Sequence, residues 1–199
     1  ASFSKSSTEE RFAGVTVALL DGDGNPVLNH DGNPMTTVTD ADGNYQFVGL
    51  GVGTYRVSIV DPNTGVLAGL TNTQAYTGRG ATQAPVTITD SSVQGVDFGF
   101  VKPATIGDRV WNDQDHNGVD NGEPGVPGVT VILKDASGTE VARTTTDSDG
   151  RYRFEGVLPG TYTVSIEVPS GYEAASTAQS VSVTEGEVNL DIDFPVTLI

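Results

Sequence analysis

The chain has 199 residues, no cysteine and a formal net charge of −16, with only 10 Lys and Arg against 26 Asp and Glu. A disulfide staple is therefore excluded, and nucleic acid and anionic membrane surfaces are disfavoured as partners, because both are bound through basic patches that release counterions. Seventeen of the acids are Asp, the acid of turns and calcium loops rather than of helical surfaces, and no apolar run approaches the roughly 18 residues that would predict membrane insertion.

Residues 1–11 are polar and read as either a poorly ordered lead-in or the remnant of an earlier strand, and from Phe12 to Leu20 the alternation Val15, Val17, Leu19 predicts the first well-marked strand. The stretch DGDGNPVLNHDGNP that follows is a string of turn dipeptides and predicts a long hairpin loop. Its Asp21-x-Asp23-x-Asn25 spacing mimics the start of a cation-binding loop, but Pro26 stands where such a loop needs Gly, which favours a hairpin turn.

Residues 39–59, TDADGNYQFVGLGVGTYRVSI, recur at 146–166 as TDSDGRYRFEGVLPGTYTVSI, with 13 of 21 positions identical and no gap. Such a recurrence makes the chain a tandem of two related units. In each copy Asp-x-Asp-Gly is turn chemistry, Tyr45-x-Phe47 or Tyr152-x-Phe154 predicts a half-buried strand, and Tyr55-x-Val57-x-Ile59 or Tyr162-x-Val164-x-Ile166 predicts the next. Residues 61–83 read as a wandering loop with one edge strand, and Val86-x-Ile88 and Val96-x-Phe98-x-Phe100 as closing strands. The short connector VKPAT contains Pro103, which predicts a stiff joint between a domain at 1–103 and one at 104–199. Roughly seven strands per unit without a helical period predict an all-β fold of two Greek-key sandwiches.

The sharpest chemical signal is the loop Asp113-Gln-Asp115-His-Asn117-Gly118-Val119-Asp120-Asn-Gly-Glu123. Oxygen ligands at alternate positions followed at once by Gly are what an EF-hand-like loop offers calcium, with the Val119 carbonyl next and a late acid, Glu123, completing the shell. Glu123 falls at position 11 rather than 12, and loss of position 8 would make Asp120 the ninth-position ligand. Four carboxylates crowded into one loop repel one another unless a divalent cation is held; a metal-free turn rich in Asp and Asn is the other reading. Trp111 is either a platform for a sugar or base or, by its place after Val110 at a strand end, a core anchor. With no Cys, and with His30 and His116 both in polar loops, no nucleophile–base pair is visible and no enzyme is expected.

The run GDRVWNDQDHNGVDNGEPGVPGVTVILKDASG, followed by TDSDGRYRFEGVLPGTYTVSIEVPSGY, resembles the SdrD B-like repeat of bacterial surface adhesins, a relative of the Cna B-type domain. The resemblance covers nearly all of 106–199 and, more weakly, residues 12–100. It implies a transthyretin-like, Ig-like sandwich in each unit. It further implies calcium bound through Asp113, Asp115, Asn117, the Val119 carbonyl, Asp120 and Glu123, with Asp108, Asp147 and Asp149 serving either a neighbouring metal site or only strand ends and turns. The first unit lacks the GDxVW segment and its acidic loop, so it is expected to be a divergent B-type sandwich without a calcium loop. Some Cna B-type domains carry a Lys-to-Asn or Lys-to-Asp isopeptide helped by a Glu four residues after a Tyr; Ile59 and Ile166 stand there, so none is expected.

The function so implied is a calcium-stabilised spacer, or stalk, of an extracellular bacterial cell-surface adhesin attached to the cell wall. Such a spacer would be monomeric, with neighbouring repeats of the same chain as its partners. The alternatives are a module binding a host protein or glycan through sandwich-end loops, and an accessory domain of a secreted enzyme.

Overall fold

The computed structural model describes residues 3–4, 10–62, 64–73, 83–89 and 92–199. The chain divides into two compact units, residues 1–102 and 103–199, and each is described by itself. Among the described residues all regular structure is β apart from one short 3-10 turn, Gly65–Leu67. Among the described residues no helix is long and apolar enough to cross a membrane.

The first unit contains β1 (Phe3–Ser4), β2 (Thr16–Asp21), β3 (Thr36–Val38), β4 (Gly53–Ile59), β5 (Thr71–Asn72), β6 (Gln83–Ile88) and β7 (Phe98–Val101). One sheet has the order β3-β2-β4-β6 and the other β1-β7-β5. The second unit contains β8 (Ala104–Asn112), β9 (Thr130–Asp135), β10 (Glu140–Thr145), β11 (Arg151–Val157), β12 (Gly160–Glu167), β13 (Tyr172–Glu173), β14 (Ala178–Val183), β15 (Val188–Asn189) and β16 (Phe194–Leu198). Its sheets run β10-β9-β12-β14 and β11-β8-β16-β13, with β15 also beside β8.

The cores follow from the alternation. Along β12 Tyr162, Val164 and Ile166 are buried while Thr161 and Glu167 face water. They meet Ala104, Ile106 and Val110 of β8 and Phe194 and Val196 of β16 in one cluster, so the two sheets close on each other as a sandwich. Val17, Leu19, Val57, Ile59, Phe98 and Phe100 form the corresponding cluster of the first unit. Each such side chain fully buried contributes about 1.5–3 kcal/mol. Trp111 is 1% exposed and belongs to the interior, as a core anchor does.

The repeated Asp-x-Asp-Gly segments are tight turns; in the second unit the turn carries the chain from β10 in one sheet to β11 in the other. Asp147 Oδ1 accepts the amides of Asp149 and Arg151, both at 2.9 Å, and Asp40 Oδ1 accepts those of Asp42 and Asn44, both at 2.9 Å. Gly150 and Gly43 take the positive φ that closes each turn, 76° and 72°. Asp21 is used the same way, its Oδ1 accepting the amides of Asp23 and Asn25, so the DGDGN stretch is a turn.

The two units differ where the repeat predicts likeness. β11 is a seven-residue strand paired to β8, Phe154 opposite Ile106 and Val157 opposite Ala104. The matching stretch of the first unit, Tyr45 to Leu50, forms no strand, contrary to the expectation from its alternation. A strand requires a paired neighbour, and among the described residues none lies beside 46–50.

Candidate metal centre

β8 runs straight into the acidic loop, and its last residues hold both ends of it. The Asn112 amide donates to the Pro124 carbonyl at 2.9 Å and the Val126 amide to the Val110 carbonyl at 2.9 Å, so the loop leaves and rejoins the same strand end. The return passes so close to the β10–β11 turn that a Cβ on Gly125 would lie 2.0 Å from the Asp149 carbonyl oxygen; only glycine fits.

Within the loop Asp113, Asp115 and Glu123 bring their carboxylates together, one oxygen from each lying within 4.8 Å of the others. Asp113 is 6% and Glu123 8% exposed, whereas Asp115 faces water. Asp113 Oδ2 accepts the Gly118 amide at 2.9 Å and its Oδ1 the Asn117 amide at 3.1 Å, which bends the loop around the carboxylate. Glu123 Oε1 accepts the Gln114 amide at 2.5 Å, but Glu123 Oε2 is buried and has no hydrogen-bond partner. Among the described residues no Lys or Arg forms an ion pair with any of the three. Buried carboxylates without a counter-charge are costly, and a cation bound between them removes the cost. The trio can hold a metal ion, and its all-oxygen donors suit a hard one.

The other loop residues take several places. Asn117 is exposed, donates through Nδ2 to Asp115 Oδ2 at 2.7 Å and accepts the Val119 amide at Oδ1 at 2.6 Å, so it sits next to the trio. The Val119 side chain is exposed at the loop tip, as is His116, whose φ of 60° places it in the left-handed region. Asp120 lies against Arg109, in an ion pair with that guanidinium. Burial pushes the Asp120 carboxyl up, but the Arg109 hydrogen bond and the Gly122 amide outweigh it and hold the group below the usual carboxylate range.

Arg109 carried no signal in the sequence beyond its place in GDRVW, yet it organises the site. Its Nε donates to the Asp149 carbonyl at 2.8 Å and Nη2 to the Glu123 carbonyl at 2.6 Å, while Nη1 engages Asp120. Asp149 thus meets the site through its backbone, and Asp147 spends its carboxylate on the turn between β10 and β11. Asp108 is removed from the trio and feels Asp193, Asp191 and Asp120 instead. Burial first, then repulsion from these acids, pushes its carboxyl up to about 6 against the pull of Arg109. Asp193 is raised too, chiefly by burial. Asp191-x-Asp193 at the entry to β16 was legible as an alternating acid pair, but its approach to Asp108 depends on sheet order.

The family model described as SdrD B-like domain matches residues 4–98 and again residues 104–193. Over 178 residues the chain is 40% identical to serine-aspartate repeat-containing protein D of Staphylococcus aureus, covering 85% of this chain and 13% of that protein. Over 185 residues it is 36% identical to serine-aspartate repeat-containing protein F of Staphylococcus epidermidis, covering 88% and 10%. The chain thus spans about an eighth or less of the length of these relatives. Among solved structures the Bacillus anthracis TIE protein superposes at a TM-score of 0.44 and 17% identity, over 100% of this chain and 34% of that one, a loose correspondence from which no chemistry follows. Both units match the family model in full length or nearly so, and the chain belongs to the SdrD B-like domain family.

Proposed function

We propose that the chain is a calcium-stabilised structural spacer of a bacterial cell-surface protein, with the ion held in the second unit by Asp113, Asp115 and Glu123 and completed by Asn117 and the Val119 carbonyl. The observation that carries this reading is the buried, unpartnered Glu123 Oε2 beside the buried Asp113 carboxylate. An apolar core would not retain such a pair for packing, whereas a calcium ion, which takes six to eight oxygens, uses both. Asp120 is assigned to the Arg109 clamp, and Asp147 and Asp149 to the turn that the clamp grips.

Calcium binds the folded loop far better than the unfolded chain, so it acts as a stabilising ligand: at a free concentration 100 times Kd the gain is ~2.7 kcal/mol. The spacer role is supported by the family and by carboxylates and hydroxyls that serve turns, strand brackets and the loop clamp. It assigns the protein to the extracellular face of the cell, with neighbouring repeats of its own chain as partners. Thermal unfolding of the full chain in chelator and in millimolar calcium tests the reading. The transition of the second unit should move up in calcium while that of the first stays in place. Identical curves for verified metal-free and calcium-saturated protein would refute it.

A further inference from the structure

The acidic loop holds the two Asn-Gly peptides of the chain, Asn117-Gly118 and Asn121-Gly122. An asparagine followed by glycine is open to attack by its own backbone: the next amide nitrogen reaches the side-chain carbonyl carbon, and glycine puts no Cβ in the way. Both asparagines face water, and both glycines have positive φ, 72° and 102°, with nothing within 4 Å of where a Cβ would stand.

The two peptides differ in what surrounds them. At Asn117 each reacting atom has a partner. Asp113 Oδ2 accepts the Gly118 amide at 2.9 Å, so a carboxylate sits on the proton that the attacking nitrogen must lose. The Val119 amide donates to Asn117 Oδ1 at 2.6 Å, where negative charge collects when the carbonyl carbon is attacked. Asn117 Nδ2, the leaving group, donates to Asp115 Oδ2 at 2.7 Å, which fixes the carboxamide. At Asn121 the set is incomplete. The Gly122 amide donates to Asp120 Oδ1 at 3.1 Å, but Asp120 is neutralised by Arg109. Asn121 Nδ2 also reaches Asp115 Oδ2, at 3.0 Å, yet among the described residues no amide donates to Asn121 Oδ1.

We propose that Asn117-Gly118 is a self-modification site, at which the metal-free loop converts its own asparagine to aspartate or isoaspartate. Gly118 N passes its proton to Asp113 and bonds to Asn117 Cγ. The Cγ–Nδ2 bond then breaks, and Nδ2 leaves as ammonia with that proton. Water opens the resulting cyclic imide at either of its carbonyls, giving aspartate or, with the main chain rerouted through the side chain, isoaspartate. Aspartate adds a carboxylate to the loop, and isoaspartate lengthens its main chain by a methylene. Protection by calcium rests on the calcium reading of the same loop: an ion held by Asp113, Asp115 and Asn117 neutralises the base and ties down the carboxamide. A loop left without calcium thus marks itself irreversibly.

The experiment incubates the full chain in chelator at neutral pH and follows both asparagines by mass-spectrometric peptide mapping, with isoaspartyl methyltransferase labelling of the product. Asn117 should convert about ten-fold or more faster than Asn121 in the folded chain, whereas in urea the two should convert at similar rates. Equal rates at the two sites in the folded chain, or slower conversion of Asn117 there than in urea, would overturn the proposal. Asp113→Asn should slow Asn117 by about ten-fold or more and leave Asn121 unchanged. An unaltered rate at Asn117 in that variant would overturn the self-catalysed step. Millimolar calcium should slow Asn117 by a similar factor. If calcium changes nothing while Asn117 still outpaces Asn121, the self-modification stands and the calcium contact at Asn117 fails instead.

Discussion

Arg109 Nη2 donates to the Glu123 carbonyl oxygen at 2.6 Å, so the strand that opens the second unit grips the far end of the acidic loop. The same guanidinium holds Asp120 and the Asp149 carbonyl. One planar cation thereby ties β8, the loop and the β10–β11 turn together before any metal arrives. Replacing Arg109 by Ala should destabilise the second unit by about 1–3 kcal/mol, because two carbonyls and a carboxylate lose their donor. Arg109→Lys should recover little, since a single ammonium cannot reproduce the fork. Denaturant unfolding of the second unit measures both; a lysine variant as stable as the parent would show that charge alone suffices.

Asp108 gives the metal-free second unit a pH dependence of defined sign. Its folded carboxyl is pushed up to about 6, above its unfolded value near 3.8. Both states are protonated below the lower value, so its favourable contribution is complete there. As pH rises from about 4 towards and through 6 the unfolded state ionises first and stability is lost. In chelator, the melting temperature of the second unit should therefore fall less over this window in Asp108→Asn than in the parent chain. A residual slope should remain because Asp193 is also raised. Equal slopes would remove Asp108 from the account.

Thr39 and Thr146, the first residues of the repeated motif, are a matched pair of internal brackets. Thr146 Oγ1 donates to the Val126 carbonyl at 2.7 Å and accepts the Val129 amide at 2.9 Å. Thr39 Oγ1 does the same with the Phe12 carbonyl at 2.6 Å and the Val15 amide at 3.0 Å. Both threonines are buried, at 5% and 4% exposure. Replacement by Val keeps the shape and strands one donor and one acceptor, so each variant should lose about 1–3 kcal/mol from its own unit alone. Calorimetry of the full chain separates the two transitions, and a shift in the unit that was not altered would contradict the assignment.

What the sequence could and could not reveal follows from the range of each interaction. The period of two in Tyr162-x-Val164-x-Ile166 and the Asp-x-Asp-Gly turns are local, and the strands and turns stand where that chemistry put them. The crowding of Asp113, Asp115 and Glu123 was likewise visible, because the loop closes on itself within a few residues. Arg109's three contacts and the neighbours of Asp108 come from strand order and register, which no window of sequence contains. The stretch from Tyr45 to Leu50 failed as a predicted strand for the same reason: its alternation matches β11, but pairing depends on a neighbour far away in the chain.

The central claim is that Asp113, Asp115 and Glu123 hold a calcium ion, and isothermal titration of calcium into the chelator-treated full chain tests it most directly. Saturable binding is predicted, stronger than for magnesium, which is smaller, demands near-ideal octahedral geometry and dehydrates reluctantly. Binding should vanish in Asp113→Ala and weaken strongly in Glu123→Gln, which removes the charge but keeps the size of the side chain. No saturable heat with verified metal-free protein, or binding unaltered in Asp113→Ala, would contradict the account.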